Sequence, residues 1–143
     1  MEEEIKIINS LKLKPVYDFL DNQALLFIHQ IMEPKRFLMG LGYADIENQC
    51  KDKKEFQLVE TSFNSLDSFI PLISKFKASI IMINGGKFIT LDEVNSIEDK
   101  YFSKLDYVIQ CFYNEKNTST DHKITFLLLR WWIQNILRRL TWK

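Results

Sequence analysis

The chain has 143 residues, of which 46% are hydrophobic and 13% aromatic, enough for one folded domain with a real core and too many for a disordered protein. Its 19 basic and 19 acidic residues sum to a formal charge of zero. A balanced charge argues against a dedicated nucleic-acid-binding protein, which usually carries a concentrated basic face. We therefore predict a single domain spanning residues 1–143, with nucleic acid not expected as a partner.

The first third of the chain is predicted to contain two helices and then two strands. Apolar residues three or four apart favour a helix over residues 3–11, and Pro15 suits the first turn of a second, short helix. The apolar run 23–32 fits either a buried strand or a helix, and the short run 36–43, which holds two glycines, follows it. We interpret them as an antiparallel strand pair, because a Glu-Pro-Lys turn lies between them.

The middle of the chain combines polar segments with one edge strand and one helix. Residues 45–54 are charged and are expected to form a solvated helical turn or a loop. Apolar and polar residues alternate over 56–60, as they do in an edge strand. Helical spacing returns over residues 65–76, but Pro71 is tolerated only near the start of a helix, so we place that start near Ser68.

A hairpin and a further helix are predicted next. Residues 78–91 resemble a β-hairpin whose two-residue turn is Asn84-Gly85, because that turn needs positive φ at both positions. Ser96 resembles a helix N-cap, and apolar spacing then favours a helix to Tyr113. Residues 114–120 are rich in small polar residues and are expected to form an exposed loop.

The longest apolar-periodic run, residues 121–140, is predicted to be a helix against which the rest of the domain packs. A membrane span needs about 20 apolar residues, and the arginines in this run interrupt it, so no transmembrane segment is expected. The elements together predict an α+β domain, in which helices cover a small antiparallel sheet and the long C-terminal helix is central to packing.

The sequence contains no motif for catalysis, a metal or a cofactor, and we expect none of the three. Cys50 and Cys111 do not form a CxxC pair and are interpreted as reduced thiols of a cytoplasmic protein, although pairing between them stays open. His29 is expected to be buried and His122 to be solvated. Metal sites need three or four ligands at defined spacing, which these residues do not supply. An enzyme with an unrecognised pocket is kept as an alternative.

A partner-binding surface is predicted at the end of the chain. Residues 121–143 hold five basic residues and one acid, a net charge of +4, so residues 1–120 carry −4. Tryptophan and arginine are frequent at interaction hot spots. The candidate residues there are Trp131, Asn135, Arg138, Arg139 and Trp142, and a rival surface on the acidic body of the chain includes Glu98 and Asp99.

We interpret the chain as a small cytoplasmic interaction protein that binds and blocks a protein partner. Compact neutral α+β domains without a catalytic motif are typical of immunity or antitoxin proteins, which neutralise a toxin by complementary charge and shape. The alternative is a peripheral membrane- or nucleic-acid-binding module that uses the basic, aromatic C-terminal helix. The partner could be a toxin domain, and the sequence leaves the oligomeric state open.

Overall fold

The computed structural model describes residues 2–32, 37–39, 43–86, 88–114, 116, 118 and 120–131. Within these ranges the α-helices are α1 (Glu2–Lys12), α2 (Asn22–Met32), α3 (Tyr43–Cys50), α4 (Ile70–Ile73) and α5 (Leu91–Ile97). The strands are β1 (Phe37–Met39), β2 (Glu55–Ser62), β3 (Ala78–Gly85), β4 (Asp106–Tyr113) and β5 (Lys123–Arg130). Two 3-10 helices, Pro15–Tyr17 and Phe63–Phe69, and one π-helical turn, Glu98–Phe102, join them.

The five strands form one mixed sheet in the order β1-β4-β3-β5-β2. Strand β5 is antiparallel to both of its neighbours, β2 and β3. Strand β1 is antiparallel to β4. Strands β3 and β4 are parallel, and the connection between them contains α5. A parallel pair cannot be joined by a tight turn, so a helical crossover is required there.

Helices cover both faces of the sheet. On one face, the 3-10 helix Phe63–Phe69, α4, α5 and the π-helical turn pack on alternate residues of the strands. On the other face, α2, α3 and the 3-10 helix Pro15–Tyr17 pack on the intervening residues. Strand β3 lies between these layers, and all of its residues except Asn84 are buried. Its apolar run Ile80 to Ile83 is what burial on both faces requires.

The α+β class is confirmed, but the predicted terminal helix is wrong for its described part. Residues 123–130 form β5, a central strand of the sheet. Phe126 and Leu128 pack on one face, while Leu127 and Leu129 pack on the other. A run that is apolar on every side therefore reflects a strand covered on both faces. The expectation that the rest of the domain packs around this run is confirmed for these residues, and residues 132–140 lie outside the described part.

The purely antiparallel sheet is also wrong, because β3 and β4 are parallel. Two segments were also predicted with the wrong type of secondary structure. Residues 23–32, interpreted as a strand, belong to α2, whose Ala24, Leu25 and Ile28 face the sheet. The predicted helix from Ser96 to Tyr113 is instead α5, the π-helical turn and the buried strand β4.

The predicted hairpin at Asn84-Gly85 does not form. Strand β3 continues through both residues, and no described glycine has a positive φ. Gly85 is needed for close packing instead, since a Cβ built there would lie 2.5 Å from Cγ2 of Ile89. The chain then enters α5 through Thr90, whose hydroxyl accepts a hydrogen bond from the backbone N–H of Glu93 at 3.2 Å. Thr90 with Glu93 is a capping box.

Two other sequence predictions are confirmed. Helix α4 begins at Ile70 with Pro71 in its first turn, where proline is tolerated. Strand β2 lies at an edge of the sheet, as the alternation over residues 56–60 predicted. Helix α3 occupies most of the segment expected to be a helical turn or loop.

Candidate interaction site at the open edge of the sheet

Strand β2 is the longer of the two edge strands. Its eight residues pair with β5 in one unbroken register from Glu55–Arg130 to Ser62–Lys123. It contains no proline, glycine or bulge, which are devices that natural proteins use to protect an edge. Strand β1 at the opposite edge has three residues, and its register with β4 shifts between Phe37 and Met39. Within the described residues, β2 is therefore the longer edge of the sheet, and it lacks these three devices.

The direction of each backbone group of β2 follows from one hydrogen bond. The N–H of Phe63 donates to the carbonyl of His122 at 2.9 Å, in the same register as the rest of β2 and β5. Hydrogen-bonded and non-bonded pairs alternate along an antiparallel ladder. From Gln57 to Thr61 the odd-numbered residues of β2 thus bond to β5, and just before the strand the N–H of Lys54 also donates to β5, to the carbonyl of Arg130 at 3.1 Å. The even-numbered residues Phe56, Leu58 and Glu60 direct their N–H and C=O groups away from the sheet.

Nothing in the described part of the chain fills this outer edge. No backbone or side-chain hydrogen bond to Phe56, Leu58 or Glu60 is formed from the outer side within the described ranges. The edge therefore presents a row of donors and acceptors with the spacing of a β-ladder. Such a row is a template for an added strand.

The side chains of these residues lie on the face that carries α2. Phe56 and Leu58 are half-buried apolar residues, and the ring of Phe56 meets that of Phe19 edge-on at 6.2 Å. Glu60 is exposed further along the strand, and Lys54 is exposed just before it. The edge thus combines an apolar centre with a cation at one end and an anion at the other.

A groove of about 530 Å³ adjoins this edge between α2 and the sheet. It gives room for side chains that an added strand would place on this face. Leu58 and Glu60 belong both to the groove and to the open edge. The lining residues are Gln23, Leu26, Phe27, Gln30, Leu58, Glu60, Met82, Asn84 and Thr125.

The predicted partner-binding surface is only partly described. Trp131 directly follows β5 and is half-buried, with the ammonium of Lys53 at 4.8 Å from its ring centroid. Asn135, Arg138, Arg139 and Trp142 lie outside the described residues. A role for Trp131 in binding stays a prediction, and its position beside the start of β2 would place it near the open edge.

The acidic pair Glu98 and Asp99 belongs to the π-helical turn after α5. Burial raises the pKa of Glu98, and a hydrogen bond from the Tyr107 hydroxyl opposes that shift. No contact described in the structure joins this pair to Trp131. Glu98 and Asp99 belong to the rival acidic surface of the sequence analysis, and their role in binding stays a prediction.

Neither cysteine has the environment of a nucleophile. Cys50 and Cys111 are buried free thiols. Burial raises the pKa of Cys50 to about 12 and that of Cys111 to about 11. The thiolate is the reactive form, so both thiols are protonated at neutral pH.

We expect both thiols to be unreactive in the native protein. At pH 8, Ellman's reagent should modify the folded chain at least about a hundredfold more slowly than the chain in 6 M guanidinium chloride, because the thiolate is scarce and the sulfur is covered. The measurement is the absorbance change with time, and the denatured sample is the control. Reaction of one thiol at the rate of a small-molecule thiol would show that its burial is wrong.

His122 has a structural position, and the expectation that it is solvated is wrong. It is 1% exposed. Its Nδ1 accepts a hydrogen bond from the N–H of Gly86 at 3.0 Å, and its Nε2 lies 3.3 Å from the carboxylate of Glu93. Both ring nitrogens of His122, which directly precedes β5, are therefore engaged: one with the loop after β3 and the other with α5. Within the described residues, no group of three or more metal-ligating side chains is assembled.

Comparison with known proteins gives a fold likeness alone. Neither a family model nor a curated protein matches the chain. An FtsZ dimer from M. jannaschii matches with a TM-score of 0.57 at 12% identity, covering 76% of this chain and 37% of that one. A point mutant of M. jannaschii FtsZ matches with a TM-score of 0.54 at 14% identity, covering 84% and 40%. The chain thus spans about two fifths of the length of these proteins.

The likeness to FtsZ corrects the functional interpretation drawn from the sequence. These structural neighbours give no support for an immunity or antitoxin protein, and that interpretation is wrong. The alternative that relied on a basic amphipathic helix is also wrong over residues 123–130, which form a buried strand. FtsZ is a GTPase family, but a fold likeness at this identity is evidence neither for nor against catalysis here. No helix in the described ranges is long and apolar enough to span a membrane.

Proposed function

We propose that this chain is an assembly domain that adds an extended polypeptide strand to the outer edge of β2. The observation that carries the proposal is the outward direction of the backbone groups of Phe56, Leu58 and Glu60, derived from the Phe63–His122 hydrogen bond. Strand addition gives affinity through backbone hydrogen bonds and selectivity through alternate side chains. The role concerns assembly and requires no catalytic centre.

The chemistry of the edge supports a polypeptide as the partner. Each backbone hydrogen bond contributes about 0.5–1.5 kcal/mol net, so a ladder of several such bonds needs apolar contacts to become stable. The half-buried side chains of Phe56 and Leu58 supply these contacts on the face of α2. One of the FtsZ structures is that of a dimer, so a protein that shares this fold over part of its length associates with another chain.

A photo-crosslinking experiment in the native host tests the proposal. We expect p-benzoylphenylalanine at position 56 to crosslink to a polypeptide strand, because that side chain lies at the open edge. The matched control carries the same group at Phe88, which is 52% exposed in the loop between β3 and α5. The products are identified by mass spectrometry.

A second variant distinguishes strand addition from contact by chance. Glu60→Pro removes an N–H that points outward and should abolish the crosslink from position 56 while the protein stays folded. An equal yield of crosslinks from positions 56 and 88, or a yield unaffected by Glu60→Pro, would contradict the proposal.

A further inference from the structure

We infer that the pocket between the 3-10 helix Pro15–Tyr17 and the turn after α3 binds a phosphomonoester that carries a compact apolar group. The pocket has a volume of about 240 Å³. One wall is apolar, and the other is formed by residues 51–54, which join α3 to β2 and include three lysines. This inference is independent of strand addition at β2, because it concerns side chains of the turn and not the backbone of the strand.

Lys53 distinguishes this pocket from an ordinary basic surface, because it is only 8% exposed. Its ammonium has three donors, and among the described residues it finds one acceptor, the carbonyl of Lys51 at 3.5 Å, together with the ring of Trp131 at 4.8 Å. Burial raises the pKa of Cys50, and the charge of Lys53 opposes that rise, so the ammonium lies near a second lining residue. A buried charge is costly unless an opposite charge compensates it. An anionic group in the pocket would supply that compensation.

The neighbouring carboxylates are committed to other cations. Glu47 pairs with Lys14 at 2.7 Å, and Glu55 pairs with Arg130. Among the described lining residues Asp52 is the one acid, and within the same part of the chain neither it nor the three lysines forms an ion pair. The lining therefore carries a net charge of +2. The C-terminus of α3 offsets only about half a charge of this, so the pocket favours an anion with more than one negative charge.

A phosphomonoester fits both the charge and the shape of the pocket. Its phosphate carries about 1.5 to 2 negative charges at neutral pH and has three acceptor oxygens, whereas a carboxylate carries one charge. Pro15, Val16 and Phe19 form the apolar wall, which can cover the group attached to the phosphate. The volume lies below the roughly 300 Å³ at which pockets for drug-sized ligands begin. The attached group is therefore compact, such as a single ring or a short chain.

Isothermal titration calorimetry of the full chain with phenyl phosphate tests the site. We expect wild type to bind and Lys53→Met to bind about tenfold more weakly or worse, because methionine fills similar space without the charge. Replacing a buried charge by an apolar residue of similar volume is often neutral or stabilising, so the Tm of Lys53→Met without ligand should stay equal or rise. If Lys53 served only to hold Trp131 by its cation–π contact, the variant would show a lower Tm and unchanged binding, and the inference would be overturned.

Asp52→Asn should have the opposite effect on binding. Asp52 has a φ of 63°, a conformation that asparagine also tolerates, so the turn keeps its shape. Loss of the negative charge should tighten the binding of phenyl phosphate about threefold or more. The matched control is Lys104→Met, which removes an exposed positive charge elsewhere on the chain and should leave the affinity unchanged. Equal weakening by Lys104→Met and Lys53→Met would show an effect of overall charge and would overturn the site.

Two further probes separate the parts of the ligand and its source. Inorganic phosphate should bind more weakly than phenyl phosphate, because it leaves the apolar wall uncovered. Vesicles of phosphatidylcholine with and without phosphatidic acid present the same phosphomonoester as a lipid headgroup. Cosedimentation that requires both phosphatidic acid and Lys53 would assign the group to a lipid, and binding of phenyl phosphate without cosedimentation would assign it to a soluble ligand. Wild type that binds neither probe would overturn the inference.

Discussion

Replacing Phe126 with alanine is expected to lower the free energy of unfolding by about 3–5 kcal/mol. Phe126 is fully buried at the centre of β5, and its ring meets those of Phe102 at 5.3 Å and Phe69 at 6.3 Å edge-on. The substitution would leave a cavity between the sheet and the helices that cover it. For a chain of this length, such a loss lowers Tm by roughly 10 °C or more.

Chemical denaturation followed by circular dichroism measures this effect. Leu13→Ala is the control, because Leu13 is 84% exposed and its truncation should change stability by less than about 0.5 kcal/mol. Equal stabilities of the Phe126 and Leu13 variants would show that residues 123–130 do not form a central strand. Retention of the m-value in both variants would confirm that the comparison concerns stability rather than a change in the unfolded state.

Two proline substitutions on β2 should differ sharply in how much they lower the free energy of unfolding. Gln57→Pro removes an N–H that the β2–β5 register directs at the carbonyl of Leu128. Leu128 is fully buried, so its carbonyl would lose a partner that water cannot replace. We expect Gln57→Pro to lower the free energy of unfolding by about 2–4 kcal/mol. Glu60→Pro removes only an outward N–H and should cost about 1 kcal/mol or less.

The two proline substitutions form a matched pair because Gln57 and Glu60 are both exposed residues of one strand. Urea denaturation of the two variants and of wild type gives the comparison. The reverse order of stabilities would show that the backbone groups of β2 alternate in the opposite sense. The open edge would then be formed by Gln57 and Val59, and the interaction site would need to be redrawn.

Sequence patterns identified the elements that face solvent on one side. The edge strand β2 and the start of α4 at Pro71 were predicted, because alternation and proline each have a single interpretation there. The runs that became α2, β4 and β5 were assigned to the wrong type. In β5, which is covered on both faces, apolar residues fill Phe126 to Leu129, and the period that separates a helix from a strand disappears there. Helix α2 keeps Gln23 and Gln30 exposed, so its assignment as a strand has a different origin, the Glu-Pro-Lys turn that follows it.

One missed feature had a signal in the sequence. The spacing of Thr90 and Glu93 marks a capping box, which would have placed the start of a helix there rather than the second strand of a hairpin. The Asn84-Gly85 pair dominated the interpretation because of its strong preference for turns. The interaction site itself could not be predicted, since the outward direction of Phe56 and Leu58 depends on knowing that β5 is the partner strand.

The position of β5 between β2 and β3 has a consequence for the order of folding. Strand β2 pairs with a segment that begins 61 residues after Ser62 along the chain, at Lys123. During synthesis, β2 has no partner in the sheet, and β3 has only one, until residues 123–130 leave the ribosome. Loop closure over such separations slows folding. Insertion of β5 is therefore the step that completes the sheet, and until then the edges of β2 and β3 that will pair with β5 stay unpaired in the nascent chain.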